Sequence, residues 1–419
     1  MNKESIEETF NLAFQNQQKN NFLVAENLYQ KVLKINPHHI EAQNNLVIVL
    51  RELGEHRRQL GEYQKAIIYF KKALILNSNL IEAQAGISKA YISELDNIKK
   101  AIDASHKVMK MHHKTSKFVD QSISTNRLKH DVQQAEYLNS KNYKINGINN
   151  FIKIGNKILK NNTDRETNKV LDKQVLLNNN EINSLSPFYK ANYIYQTAKI
   201  SGSCLNPNKN WEEVEEQYFN KAEQIIYIDN FLSDEAVREL REFCLVSKVW
   251  YQERRNKYLG AFSDSGFISP IHLQIATELK QKLPKLFGNH RLVRYWAFKY
   301  DSTLGKGINI HADSAVLNLN FWITPNEHNN NKKSGGIRIY NVKAPDSWSF
   351  QKYNRNLEEI YKMLDEKKAK CISIPHKFNR AVLFNSDYFH ETDELNFTDK
   401  YEARRINVTY LFGDRKKSK

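Results

Sequence analysis

Residues 22–37, FLVAENLYQKVLKINP, recur in altered form at 63–78, YQKAIIYFKKALILNS, and more faintly as AIDASHKVM from Ala101. A chain that repeats itself at this period has little freedom in its N-terminal fold, because each copy must bury the same face against its neighbours. In alignment Ala25, Ala66 and Ala101 share one column, and Val32, Ala73 and Val108 share another, seven residues on. Positions seven apart lie two helical turns apart on one face, and small or slim residues there let helices approach closely. Pro37 lacks the N–H that a continuing helix needs, so the first copy ends there. The second and third copies are 35 residues apart, the first and second 41. The surplus falls in LGEHRRQLGEYQ, where LGE recurs after seven residues. An insertion of two turns lengthens a helix without changing the face it buries. The alternative is an irregular α-bundle.

These copies resemble the tetratricopeptide repeat, a helix–turn–helix unit that stacks into a solenoid. The resemblance implies a concave surface for a protein or peptide partner. From about 110 to 224 the pattern fades. The asparagine-rich stretch KNNTDRETNKVLDKQVLLNNNEIN reads as loop, and helical runs are expected around Phe188–Ala198 and Trp211–Ala222. This region is read as a helical spacer.

After residue 225 the grammar changes. IIYIDNFLS reads as a short strand followed by an N-cap at Ser233 and a helix through Cys244. From Leu292 onward come VRYWAFKY, GINIHAD, VLNLNFWIT, GGIRIY, KCISIP, RAVLFNS and RINVTYLF, divided by Gly, Asn and Pro turns. Short aromatic and β-branched segments at such spacing predict an all-β barrel or jelly roll with helices outside it.

In GINIHAD, alternate residues of a strand point to one face, so His311 and Asp313 are expected side by side. An imidazole and a carboxylate placed so can take adjacent corners of one metal ion. A His-x-Asp triplet alone is weak evidence, but His390 follows at the end of an apolar strand in NRAVLFNSDYFHETD. Two His and one carboxylate on such a scaffold match the facial triad of non-haem Fe(II) oxygenases. His376, beside a proline in IPHKFN, is the rival third ligand. The His38–His39 and His112–His113 pairs lie in the helical region and read as exposed or capping residues. In ARRINVTYLF, Arg405, Asn407 and Thr409 share one face. An arginine pointing inward there could grip a carboxylate with two parallel hydrogen bonds, whereas Arg404 points the other way and would pair at the surface. If instead that polar face meets water, the choice between the two inverts.

The stretch from Trp296 to Phe412 resembles the 2-oxoglutarate/Fe(II) oxygenase superfamily, most closely its prolyl-hydroxylase-like branch. The resemblance rests on a strand ending in Tyr300 before His-x-Asp, a Ser-Gly-Gly and strand at Ser334–Tyr340, LFNSDYFHE at the distal histidine, and Arg-x-x-x-Thr at Arg405–Thr409. It settles the anchor on Arg405 against Arg404. The loop between His390 and Arg405 is longer than is usual in that branch, which leaves room for a lid or a shifted anchor. The resemblance implies Fe(II) on His311, Asp313 and His390. It also implies 2-oxoglutarate as cosubstrate, its far carboxylate on Arg405 with Tyr300 and Thr409, and ascorbate as reductant. Oxidative decarboxylation to succinate and carbon dioxide would drive the reaction. A carboxylate at Asp313, where alanine or glycine would admit halide, implies hydroxylation. Asn318, Asn320 and Trp322 alternate on the next strand and are expected to line the substrate side or to pair inside the barrel. Trp296 and Phe321 read as core.

Charge and composition bound the remaining possibilities. The formal net charge is +16, but the excess is spread along the chain; the one dense cluster is the tail, Arg415, Lys416, Lys417 and Lys419. Both facts argue against a nucleic-acid partner. Three cysteines, Cys204, Cys244 and Cys371, suggest neither a disulfide framework nor a CxxC site. No apolar run is long enough for a membrane span and the N-terminus lacks a signal-peptide core, so a cytoplasmic protein is expected. The whole reads as a multidomain chain. Residues 1–112 form an all-α tetratricopeptide-repeat solenoid and 113–224 a helical spacer. Residues 225–419 form a double-stranded β-helix (jelly roll) with flanking helices, its β-core at about 292–413. The substrate is either a protein brought by the repeats or a small molecule. Two other classes remain: an inactive repeat scaffold, and a cupin-type metal enzyme that does not use 2-oxoglutarate.

Overall fold

In the computed structural model, which describes residues 3–115, 121–197, 199–301 and 307–415, the small-residue columns of the repeats lie inside a stack of helices. These are α1 (Lys3–Gln18), α2 (Phe22–Ile35), α3 (Ile40–Gln59), α4 (Tyr63–Leu76), α5 (Ile81–Glu94) and α6 (Ile98–Thr115). Ala25, Ala66, Ala101, Val32, Ala73 and Val108 are all buried. The insertion lengthens α3 to 20 residues, against 14 in α5. His39 serves as the N-cap of α3, its Nδ1 accepting from the Ala42 N–H at 3.3 Å. The chain divides into two units, Met1–Lys114 with Ser263–Gly266, and Thr115–Phe262 with Phe267–Lys419.

The second unit begins with β1 (Ser122–Ser124), α7 (Thr125–Ser140), α8 (Ile148–Asn161), β2 (Gln174–Leu176), α9 (Asn179–Lys190) and α10 (Trp211–Asn220). Two expectations need correction here. The asparagine-rich stretch is not all loop: it contains β2, paired antiparallel with β1. It also contains the start of α9, which Asn178 and Glu181 close with a reciprocal capping box. The helix expected at 188–198 ends at Lys190. Beyond it the backbone pairs elsewhere, with Tyr193 accepting from the Lys248 N–H at 2.9 Å and the Tyr195 N–H donating to Ser247 Oγ at 3.0 Å. Ala198 and the tail residues Lys416, Lys417 and Lys419 lie outside the described residues. Helices α7, α8 and α9 share one apolar core with Leu245, Val246 and Tyr401 from the C-terminal region. That shared core places the expected spacer in the same unit as the strands.

The strands follow: β3 (Ile225–Ile228), then α11 (Asp234–Val246), capped by Ser233 as expected. Next come β4 (Gln252–Glu253), β5 (Tyr258–Phe262), α12 (Pro270–Lys282), β6 (Leu292–Tyr300), β7 (Leu317–Trp322) and β8 (Ile337–Lys343). The chain continues through α13 (Phe350–Arg355), α14 (Leu357–Glu366), β9 (Cys371–Ile374), β10 (Ala381–Asn385), β11 (Tyr388–Thr392) and β12 (Arg405–Phe412). A seven-stranded sheet has the order β3-β10-β7-β12-β6-β5-β4, and a three-stranded sheet the order β11-β8-β9. Every pairing is antiparallel. Trp322, Val382 and Phe384 of the large sheet share a core with Ile337, Ile339 and Tyr388 of the small one. The two sheets therefore face each other.

Candidate metal centre

The order of strands converts sequence separation into contact. GINIHAD, expected as a strand, contributes only an isolated bridge in which His311 and His390 exchange backbone hydrogen bonds at 3.0 and 2.8 Å. His390 does not end the apolar strand β10. It lies one turn later in β11, across the cavity in the small sheet. The turn between them includes Ser386, which accepts from the Asp313 N–H at 3.1 Å.

His311, Asp313 and His390 each offer a ligand atom, and these atoms lie within 4.8 Å of one another. His311 Nε2 is 3.7 Å from Asp313 Oδ1, and His390 Nε2 is 3.4 Å from Asp313 Oδ2. Both imidazoles are oriented the same way. His311 Nδ1 lies 2.8 Å from the Asn309 carbonyl and His390 Nδ1 lies 2.9 Å from that of Tyr388. A carbonyl only accepts, so each Nδ1 carries the proton and each Nε2 lone pair faces the carboxylate, the tautomer a metal requires. Burial, then the neighbouring His390, pushes His311 down to about 4, which keeps it neutral. Burial works against ionisation of Asp313, yet its close contacts with His390, His311 and Asn318 hold its carboxyl below the usual range. The donor set thus fits a divalent metal. His376 is elsewhere, its Nε2 2.9 Å from the Thr324 carbonyl.

The three residues line a cavity of about 390 Å3 of atom-free space, part of it open to solvent. Tyr300, Arg405 and Thr409 line it too. Arg405 is 2% exposed; its Nε donates to the Gly335 carbonyl at 2.5 Å and its Nη2 to that of Gly336 at 2.9 Å. Its Nη1 is buried and has no hydrogen-bond partner among the described residues. Besides these carbonyls the guanidinium faces the Tyr300 and Trp322 rings, none of which neutralises it, so an anion in the cavity would find a prepared donor. The Ser-Gly-Gly element is required by close approach: a Cβ on Gly336 would lie 1.9 Å from the Ile374 carbonyl oxygen. The long loop before Arg405 is tied down by a bridge between Asn329 and Phe397, and it leaves Arg405 on the cavity wall.

Three expectations shift. Arg404 does not pair at the surface; it is buried, with Nη2 2.8 Å from Asp301 Oδ2 and Nε 2.9 Å from Gln133 Oε1. Helix α7 covers that face of the sheet, which sequence alone did not reveal. Trp296 is not core but cavity wall, whereas Phe321 is fully buried. The alternation on β7 is correct, but the residues divide their work. Asn318 Nδ2 donates to Asp313 Oδ2 at 2.7 Å, and Asn320 Nδ2 to Asn318 Oδ1 at 2.5 Å. Asn320 Oδ1 in turn accepts from Thr409 Oγ1 at 2.6 Å and from Asn407 Nδ2 at 2.8 Å. Asn320 lines the cavity, whereas Asn318 and Trp322 lie behind it. Asn407, placed by the sequence on the face of Arg405 and Thr409 but given no role there, also lines the cavity.

Residues 47–80 match the tetratricopeptide repeat family. No curated protein matches the sequence. Among solved structures the chain is similar to SnoK, a non-heme alpha ketoglutarate dependent carbocyclase from nogalamycin biosynthesis, at 13% identity over 51% of this chain and 87% of that one, TM-score 0.37. A prolyl-4-hydroxylase of Pseudomonas putida matches at 12% identity over 49% of this chain and 100% of that one, TM-score 0.30. HygX from Streptomyces hygroscopicus, with nickel, 2-oxoglutarate and hygromycin B bound, matches at 10% identity over 50% and 87%, TM-score 0.32. The chain carries a tetratricopeptide repeat and is similar, over about half its length, to 2-oxoglutarate-dependent non-heme enzymes.

Proposed function

We propose that the second unit is a 2-oxoglutarate- and Fe(II)-dependent oxygenase acting as a hydroxylase, its two facing sheets forming a double-stranded β-helix (jelly roll). One observation carries this reading: a neutral His, a carboxylate and a second His converge on one cavity whose wall presents a buried Arg405 with an unused Nη1 donor. His311, Asp313 and His390 hold the metal through Nε2, a carboxylate oxygen and Nε2. Arg405, with Tyr300 beside it, binds the far carboxylate of the keto acid. Thr409 fixes Asn320 and thereby the polar floor. Iron and 2-oxoglutarate together supply oxygen activation coupled to oxidative decarboxylation. The protein's residues hold both in register and keep water from the reacting face. The wall of Trp296 and Phe298 provides that exclusion.

In this reading the helical segment 113–224 buttresses the sheet, and the repeats recruit a protein partner or substrate. Exposed apolar side chains on α2 and α4, among them Leu23, Val24, Ile68 and Ile75, support recruitment. Among the described residues no helix is long and apolar enough to cross a membrane.

The test needs no substrate. Anaerobic apo-protein mixed with Fe(II) and 2-oxoglutarate, with ascorbate to keep the metal reduced, should develop the visible charge-transfer band of the chelate. Asp313→Ala should abolish the band, and Arg405→Ala should raise the 2-oxoglutarate concentration for half-saturation about tenfold or more. Metal binding without any band in folded wild-type protein would replace this reading with a cupin-type metal enzyme, and no metal binding with a scaffold.

A further inference from the structure

Behind the wall that carries Tyr300 and Arg405, α7 grips the two residues that flank this pair in the chain. The register of β12 on β6 sets Arg405 opposite Tyr300. One position further along stand Arg404 and Asp301, just beyond the ends of both strands. Ladder pairing no longer dictates where a side chain goes there. Both are buried nonetheless, and Arg404 Nη2 donates to Asp301 Oδ2 at 2.8 Å. Lys129 and Gln133, one helical turn apart on α7, each take one member of that pair. Lys129 Nζ lies 3.1 Å from the same Asp301 oxygen, and Gln133 Oε1 accepts from Arg404 Nε at 2.9 Å. Asp399, in the long loop between His390 and Arg405, steadies Lys129 from its exposed side at 3.0 Å.

The backbone around the anchor is held as well. Thr324, just past β7, donates through Oγ1 to the Arg404 carbonyl at 3.0 Å and accepts from the Ile406 N–H at 2.8 Å. Arg405 lies between these two bonds. Its own hydrogen bonds go to the carbonyls of Gly335 and Gly336, and its guanidinium stands 4.9 Å from the centre of the Tyr300 ring. Asp301 follows Tyr300 directly, so a carboxylate turned to the cavity side would neutralise the anchor. Two cations behind the sheet, Arg404 and Lys129, outweigh one in front and keep the carboxylate away. The Arg405 charge is thereby reserved for a ligand.

Resting on the oxygenase reading, we propose that Lys129 and Gln133 of α7 are positioning residues for 2-oxoglutarate. By fixing Asp301 and Arg404 they fix the neighbouring row, Tyr300 and Arg405, in place and in charge. Neither touches the keto acid or the metal ligands. Their loss therefore weakens keto-acid binding while metal binding stays as it was, because the anchor loosens and His311, Asp313 and His390 do not depend on α7. The helical segment before the strands would thus tune cosubstrate affinity besides covering the sheet.

The test titrates 2-oxoglutarate into the full chain, anaerobically with Fe(II) while reading the charge-transfer band, and calorimetrically with Mn(II). Lys129→Met and Gln133→Leu change partly exposed side chains, which limits the risk to folding. Each should raise the half-saturating concentration about three- to tenfold. The position and limiting intensity of the band, and the affinity for Mn(II), should match wild type. Lys129→Arg, which keeps a cation within reach of Asp301, should bind close to wild type. Unchanged half-saturation in both variants would overturn the proposal and leave the oxygenase reading standing. So would a matched loss of Mn(II) and 2-oxoglutarate binding shared by Lys129→Arg, since that marks a general loosening of the fold. Wild-type protein that binds Mn(II) but gives neither band nor heat with 2-oxoglutarate would overturn the oxygenase reading and this proposal with it.

Discussion

Asn318 illustrates how much at this site depends on a single amide. Asp313 has two oxygens and a metal held there would need one defined lone pair; the 2.7 Å bond from Asn318 Nδ2 to Oδ2 fixes which way the carboxylate faces. The amide is itself held by Asn320, which Thr409 and Asn407 hold in turn. Orienting bonds of this kind are worth roughly 10–100-fold in metal affinity. Asn318→Ala should therefore weaken Mn(II) or Co(II) binding by about that factor and broaden the Co(II) electronic spectrum, with the fold retained. Unchanged affinity and spectrum would show that Asn318 merely fills space. His-x-Asp and the distal His were readable because ligand chemistry restricts residue type. The asparagine network was readable only as an alternation, since an amide serves a pocket wall, a strut or a solvated face equally well.

At the scale of elements, α4 shows why the repeats carry glycine where a helix would prefer alanine. Phe70 of α4 packs against Gly54 of α3 and Gly86 of α5, where an added Cβ would stand 2.7 and 2.4 Å from its ring. Gly86→Ala gains helix propensity but overpacks the contact, at a cost of about 1–3 kcal/mol. Its melting transition should fall, and Phe70→Leu combined with it should cost less than the sum of the two singles, because the smaller side chain vacates the contested volume. Additive losses would argue against this contact as the cause. In the second unit, Lys248 follows α11 and donates its ammonium to the Phe188 and Ala191 carbonyls while lying 4.1 Å above the Phe188 ring. Burial pulls Lys248 down to about 7. The unfolded chain holds that proton up to roughly 10.4, so between these values it binds more protons than the native state. Native stability relative to Lys248→Met should thus rise with pH from about 7 upward and level off near the ordinary lysine value. Denaturant titrations of both proteins across that range decide it; parallel curves would mean the lysine keeps its proton when buried.

For the whole molecule, local pattern and long-range packing contributed different things. Periodicity located the helical repeats, because small residues seven apart have few other uses, and the lengthened α3 absorbed the insertion as helix geometry requires. Alternation located most strands and put Arg405, Asn407 and Thr409 on one face. What alternation could not supply was which face meets solvent. Arg404 lies under α7, paired with Asp301 and Gln133, so both faces of β12 are buried and a polar residue on either reads the same in sequence. Nor could it reveal that residues 113–224 share a core with Leu245, Val246 and Tyr401. The sequence by itself determined most kinds of element, their order and the residue types of the candidate metal ligands. The tertiary structure alone decided which side chains are neighbours and which charges lose their water, because burial and contact depend on residues distant in the chain, about which a local pattern carries no information.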